Sequence, residues 1–493
     1  MPGKYLFIGG HVTTLDDSIG DFPQGYVLVE DGIIKAVGKA SDLGSDATDA
    51  EVIDSTDGIV IPGMVDTHRH VSMSLTRGLG ADQALFHFLS NTYLRWLPAT
   101  GVEEMYTSAL VGALEALDSG VTTILDSCES FHSGSHADAE LQGLKDSGIR
   151  AFYCFGMSED QYGEHAAGEE GWKARLTHIK NLRFQNEGAD NLVQIGLALS
   201  QPGTIPFGKT KTEIEFAHSL GMLCCSHSCG VVNSMVTKDI EERHHHDLLL
   251  PGHVYIHCNS FSPNEIKLVA ESGGKVSIAT ESEMQMGMGL PPLRYCIEHG
   301  LKPSLSIDTS AAVAPDLLSQ MRLALQLQRC LDHHAIQQRG KVPSDVEYTV
   351  RDALIWGTRN GAEAVGLGDK IGTLTPGKKA DIVFISNKRH ISPSAFQLGT
   401  AVLHSTAADV DTVMVGGQIK KRNGSLIGQD MEAIRAKAKT GLQNIMENLK
   451  NVPPEMTKEE VEKYIIDAER STRAMLAKAY EGKDVANDWM RQK

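Results

Sequence analysis

The hydrophobic pattern divides the chain into stretches with different periods. Over the first sixty or so residues, short β-rich runs alternate with glycine turns: "KYLFIGGHVTTLD", then "GYVLVEDGIIKAVGK", then "EVIDSTDGIVIPG". Asp31-Gly32 between two such runs is a hairpin signal, because a two-residue turn needs backbone that Asp-Gly adopts readily. Asp57-Gly58 marks a further strand pair in the same way. From about Val60 to Val365 the pattern changes to short apolar strands alternating with amphipathic helices. The predicted strands are "GIVIPGMVD", "VTTILD", "IRAFYCF", "NLVQIGLAL", "MLCCSH", "HVYIHC", "GKVSIAT" and "KPSLSID". Between them, Val102 to Ser119 reads as a helix with Leu110, Leu114 and Leu117 on one face and Gly120 ending it. Further helices are predicted over Ala137 to Ser147, Thr212 to Leu220 and Pro263 to Ser272, the last capped by Ser262. Such β-α alternation predicts an α/β fold, a distorted (β/α)₈ TIM barrel.

Past the barrel, "IGTLTPGKKADIVFIS" and "DTVMVGGQIKKRNG" return to strands around glycine turns, matching the N-terminal segment in character. The two ends are therefore predicted to build one small β-sandwich together. The expected division is 1–61 and 369–428 for the sandwich, 62–368 for the barrel and 429–493 for a charged helical extension.

Composition narrows the function classes. With 493 residues and 41% apolar content the chain can bury a large core. A formal net charge of −17 disfavours a phosphate-binding surface for nucleic acid and docking on anionic lipid. A small-molecule substrate suits it better. No run of apolar residues is long enough for a membrane span, and "MPGKYLFIGG" lacks the pattern of a secretory signal. Eight cysteines in a chain this long are too sparse for a disulfide framework, so a reduced, cytoplasmic setting is expected. Cys225 and Cys229 flank His227 but lack a matching ligand pair, and read as small buried residues.

The candidate chemistry lies at strand ends. Active sites of such barrels form at the C-terminal ends of the strands. His68 and His70, in "PGMVDTHRH", follow the first strand; His227 ends the fifth, His257 the sixth and Asp308 the eighth. A lone histidine on an apolar strand is ordinarily a core residue, and Asp308 alone could be a helix cap. Five such residues at one face form a constellation that suits Zn²⁺, with Fe²⁺ as second choice. The other histidine cluster, His244 to His246, is expected to lie in a solvated loop.

The motifs "PGMVDTHRH", "SHS" at the fifth strand, "IHCNSFSPNEIKLVAESGGKVSIAT", "SIDTS" and "IGTLTPGKKADIVFI" resemble the amidohydrolase superfamily. The resemblance is to the branch with cytosine deaminases, S-adenosylhomocysteine deaminases and triazine hydrolases, and it runs to about residue 425. It implies one metal held by His68, His70, His227 and Asp308, with His257 orienting or helping to deprotonate a metal-activated water. It also implies C–N hydrolysis of a heterocyclic substrate and a homodimer or higher homo-oligomer.

One position departs from that branch. The glutamate of its H-x-x-E motif, which carries a proton to the substrate, is replaced here by Gly230. The same metal site could then act on an amide, a C–Cl bond or a C–C or C–O bond; a non-catalytic scaffold is a third reading. Alternatively, Glu281 or Glu283 in "ATESEMQMGMG" supplies the missing acid, Glu281 being nearer the strand end and both sharing strand parity. Arg77, Gln83, Phe86 and Trp96 are candidates for a substrate cover, and Met284, Met286 and Met288 for an apolar pocket wall.

Overall fold

Eight parallel strands, each hydrogen-bonded to the next in chain order, form the central sheet of the computed structural model. The structure describes residues 3–128, 132–188, 191–202, 205–228, 239–454, 456–457, 459–463 and 466–467. Cys229 and Gly230 lie outside the described residues. The strands are β1 (Met64–Arg69), β2 (Val121–Cys128), β3 (Arg150–Gly156) and β4 (Val193–Ala198). They continue with β5 (Cys224–His227), β6 (Val254–Ile256), β7 (Lys275–Ile278) and β8 (Ser304–Leu305).

Just beyond the C-terminal end of β8, the barrel closes onto β1 through Asp308. The Asp308 amide donates to the His68 carbonyl at 3.0 Å and the His70 amide donates to the Asp308 carbonyl at 2.8 Å. Inside the barrel, Thr67 Oγ1 lies 2.7 Å from Ser277 Oγ and 2.9 Å from Ser304 Oγ. These hydroxyls tie β1, β7 and β8 together and satisfy one another away from water.

The helices fall between the strands where the apolar period changes from two to about 3.6. Val102–Asp118 buries Leu110, Leu114 and Leu117, and the chain turns at Gly120, whose φ is +91°. Pro263–Glu271 starts at a reciprocal cap, with the Glu265 amide donating to Ser262 Oγ and the Ser262 amide to Glu265 Oε2. Among the described residues, no helix is long and apolar enough to cross a membrane.

The run "GIVIPGMVD" is two strands rather than one. Gly58–Pro62 pairs antiparallel with Ile382–Ser386 outside the barrel, and only Met64–Arg69 enters it. Pro62 cannot donate to a ladder, and Gly63 sits so close to Thr122 that a Cβ there would lie 2.1 Å from its hydroxyl oxygen. Asp57, at φ +60°, likewise turns the chain between sheets, since Glu51–Asp54 pairs with Lys4–Ile8 instead.

Both chain ends build the accessory layers. A seven-stranded sheet combines Gly58–Pro62 and two short N-terminal strands with Ile382–Ser386, Val410–Val415 and two further C-terminal strands. The hairpin turning at Asp31-Gly32 belongs to a separate four-stranded sheet. It meets the C-terminal strands mainly through its face: Val27, Val29 and Ile34 pack with Ile382, Phe384 and Met414.

The C-terminal helix Met431–Leu449 lies on the barrel's outer helices, burying Ile445 and Leu449 beside Trp96 and Met105. The Arg95 guanidinium donates to the carbonyls of Leu449 and Val452, both at 2.8 Å.

Candidate metal centre

Four imidazoles and one carboxylate meet at the C-terminal mouth of the barrel. His68 and His70 sit at the end of β1 and just beyond it, and His227 is the last residue of β5. Ring centroids of His68 are 4.6 Å from His70, 4.8 Å from His227 and 5.4 Å from His257. Asp308 Oδ1 lies 3.3 Å from His68 Nε2 and 3.4 Å from His70 Nε2. Potential ligand atoms of His68, His70 and His227 lie within 4.8 Å of one another, and so do those of His68, His257 and Asp308.

Local backbone aims these groups. His257 and Asp308 have φ of +75° and +69°, a region that residues other than glycine rarely adopt. The chain leaves the ladder at those points and turns the side chains inward, at a cost the surrounding bonds offset.

The donor set fits a divalent metal. His68 is fully buried; among the described residues its Nδ1 has no hydrogen-bond partner, and its Nε2 has only the 3.3 Å approach to Asp308 Oδ1. A buried imidazole with one ring nitrogen unsatisfied and the other only weakly held is costly, and coordination would satisfy it. Burial holds His68 well below the ordinary imidazole range, which favours the neutral, ligating form. His70 Nδ1 lies 2.7 Å from the Ser127 carbonyl. A carbonyl accepts only, so Nδ1 carries the hydrogen and Nε2, on the side of Asp308 Oδ1, carries the lone pair in the neutral ring. Burial works to raise the Asp308 carboxyl, but the imidazoles of His68 and His70 outweigh it and hold the group well below the usual carboxylate range.

The two glutamates after β7 have different surroundings. Glu283 is fully buried, with Oε1 3.0 Å from His257 Nδ1 and Oε2 accepting from Asn259 Nδ2 at 3.2 Å. Glu281, the one favoured from strand position, accepts instead from Gln320 Nε2 at 2.8 Å and the Ala314 amide at 3.3 Å. Among the described residues no hydrogen bond links it to the histidines. The reason is the local fold: Thr280–Gln285 is a helix, so residues two apart point in nearly opposite directions rather than sharing a face.

The remaining candidates separate similarly. Trp96 is fully buried in a cluster with Met73, Phe88, Met286, Met288 and Ala311. Met284 is exposed, unlike the buried Met286 and Met288. Arg77 is an exposed partner of Glu115, Gln83 accepts from Thr92, and Phe86 is half-buried. Backbone bonds tie this segment to the stretches that follow β7 and β8, with the Gly80 amide donating to Ala311 and the Leu85 amide to Met286. His244 and His245 end the helix Asp239–His245 rather than lying in a loop, whereas the exposure of all three residues of His244 to His246 is as expected.

Sequence reasoning missed three groups: the Ser127 carbonyl, Asn259, and Ser282, whose hydroxyl donates to Asp308 Oδ2. Only Ser282 had a visible signal, lying between the two flagged glutamates.

A parallel barrel with imidazoles and a carboxylate converging at its strand ends has the layout of a metal-assisted hydrolase. Residues 59–420 match the amidohydrolase family, and the chain belongs to that family, as a hydrolase acting on carbon–nitrogen bonds. It is 28% identical over 417 residues to a 5'-deoxyadenosine deaminase of Methanothermobacter thermautotrophicus, covering 83% of this chain and 91% of that one. A zinc-containing adenosine deaminase from Xanthomonas campestris superposes with a TM-score of 0.77 at 22% identity, covering 90% of this chain and 99% of that one. A variant of atrazine chlorohydrolase from Arthrobacter aurescens, complexed with zinc and atraton, also gives 0.77 at 21% identity, with 89% and 100% coverage.

Proposed function

We propose that this chain is a zinc-dependent aminohydrolase that releases ammonia from an amino-substituted heterocycle, with adenosine-type purines the first class to test. The observation that carries the reading is the convergence of His68, His70, His227 and Asp308 at one barrel mouth, with His68 fully buried and its Nε2 turned to Asp308. The 5'-deoxyadenosine deaminase relative supports the substrate class. A metal held by those four residues would supply Lewis acidity, bringing the pKa of a water towards about 7.

The side chains divide the proton work. The Asp308 carboxylate takes a proton from the attacking water. His257, held at Nδ1 by Glu283, passes a proton to the departing nitrogen. The water oxygen bonds to the ring carbon, the C–N bond breaks, and ammonia and the carbonyl heterocycle leave. Glu283 thus acts through His257 and stands in for the acid that Gly230 cannot supply; Glu281 braces the loop after β8.

Gly230 also supports a second reading, displacement of a good leaving group such as chloride from the same site. A cytoplasmic homo-oligomer completes the proposal. The seven described cysteines are thiols rather than disulfides, consistent with a reducing compartment, and sedimentation at micromolar concentration tests the assembly.

The deciding experiment is elemental analysis of metal-replete protein with ammonia and chloride assays on amino- and chloro-substituted purines and triazines. Stoichiometric zinc with ammonia release is expected. Absence of zinc, iron and manganese alike would overturn the metal site. Iron in place of zinc would correct the cofactor, and chloride release alone would favour the second reading.

A further inference from the structure

Ser282 and Glu283 are neighbours on the short helix Thr280–Gln285, and both are fully buried. Adjacent helical residues splay by about 100°. Here that splay sends one side chain to each of the two groups assigned to proton transfer. Ser282 Oγ donates to Asp308 Oδ2, while Glu283 Oε1 meets His257 Nδ1. The other Asp308 oxygen, Oδ1, is the one turned towards His68 and His70.

The helix itself is fixed to the loop that carries Asp308. Glu281 accepts from Gln320 and the Ala314 amide, and Gln285 Nε2 donates to the carbonyls of Ala312 at 2.9 Å and Ala81 at 3.1 Å. Two buried positioning contacts therefore ride on one braced element. Ser282 has Met286 Sδ within 3.8 Å as another acceptor, but its hydroxyl carries one hydrogen, and a carboxylate accepts far more strongly than a thioether.

We propose that Ser282 is a positioning residue for Asp308, so that one helical turn sets both sides of the proton transfer: Ser282 the base and Glu283, through His257, the acid. This rests on the aminohydrolase reading above. With Oδ2 tied, the carboxylate cannot rotate, and Oδ1 stays facing the histidine ligands. A carboxylate oxygen has two lone pairs, so the bond from Ser282 uses one and leaves the other for the proton of the attacking water.

The consequence is a split that general damage to the site would not produce. Weakening the base side slows attack whatever group leaves. Weakening the acid side slows only the loss of a group that needs a proton, because chloride departs without one. The probes are a purine nucleoside with an amino group at C6 and its 6-chloro counterpart, with EDTA withdrawal of zinc as a readout independent of turnover. Removing an outer hydrogen-bond partner of a metal ligand costs about 10–100-fold in activity or metal affinity.

Ser282→Ala is expected to lower kcat by about that factor on both nucleosides, leave KM within about threefold, and speed zinc loss by a similar factor. Ser282→Thr keeps the hydroxyl and should recover most of both losses. Glu283→Gln should slow the amino substrate and spare the chloro one, with zinc retention unchanged. Wild-type kcat and wild-type zinc retention in Ser282→Ala would overturn the assignment, as would equal losses in the Ala and Thr variants. If the wild type turns over neither nucleoside, the functional reading fails for this substrate class, and zinc retention in the Ser282 variants still decides the positioning role.

Discussion

Replacing Glu283 by glutamine removes a charge from the site while leaving its shape. Oε1 receives the Ala279 amide at 2.8 Å and faces His257 Nδ1 at 3.0 Å; Oε2 receives Asn259 Nδ2 at 3.2 Å. A glutamine can keep its carbonyl oxygen in the Oε1 position. Its amide nitrogen then faces Asn259 donor to donor, and Asn259 relieves this by turning its amide, since its Oδ1 has no partner among the described residues. The hydrogen bonds survive, and what goes is the negative charge behind His257. A hydrogen bond to a charged group contributes about 1.5–3 kcal/mol against about 0.5–1.5 for a neutral one. The difference of about 1–2 kcal/mol corresponds to roughly 5–30-fold in kcat. A complete loss of the acid sets the ceiling, about 10²–10⁴-fold. The assay is initial-rate ammonia release from a 6-aminopurine nucleoside, resolving kcat from KM, with zinc content and melting temperature measured on the same preparation. Folded, zinc-loaded Glu283→Gln with kcat within twofold of wild type would refute the assignment of Glu283 to His257.

Glu281→Gln should keep kcat within about threefold, because the substituted amide oxygen still accepts from Gln320 and Ala314; a hundredfold loss, typical of removing a positioned acid, would return Glu281 to the chemistry. Glu140 is fully buried beside Asp126 and Cys128, and burial pushes its carboxyl up to about 7, against about 4.5 when unfolded. Burial also raises the adjoining Asp126 carboxyl, so the pair holds protons in the folded state that the unfolded chain has lost, and stability falls as pH rises from about 4.5 towards 7. Glu140→Gln should flatten that slope in urea melts; an unchanged slope would count against it. Gly63→Ala places a Cβ 2.1 Å from Thr122 Oγ1 where the chain passes from sandwich to barrel, and should cost at least about 1–3 kcal/mol by denaturant midpoint.

The sequence by itself determined the fold class and the candidate metal donors, because a strand-terminal residue in a parallel barrel has only one face to occupy. His68, His70, His227, His257 and Asp308 were legible as end positions of alternating strands, and the structure brings all five together at one mouth. The barrel decided what period alone leaves open. "GIVIPGMVD" is one apolar run in sequence, yet it serves two sheets, because the division depends on Thr122 crowding Gly63 from a neighbouring strand. Glu281 and Glu283 look equivalent if the strand continues, since a strand repeats every two residues. The chain instead coils into a helix there, with Glu281 held at Gln320 and Ala314 and Glu283 at His257, and the two carboxylates separate. Ser282 and Asn259 take their roles from partners 26 and 24 residues away, and the Ser127 carbonyl from one 57 away. Local pattern reports which face a residue can take, whereas the partner that gives a polar group its duty is set by closure of the barrel, where separations along the chain no longer govern distance.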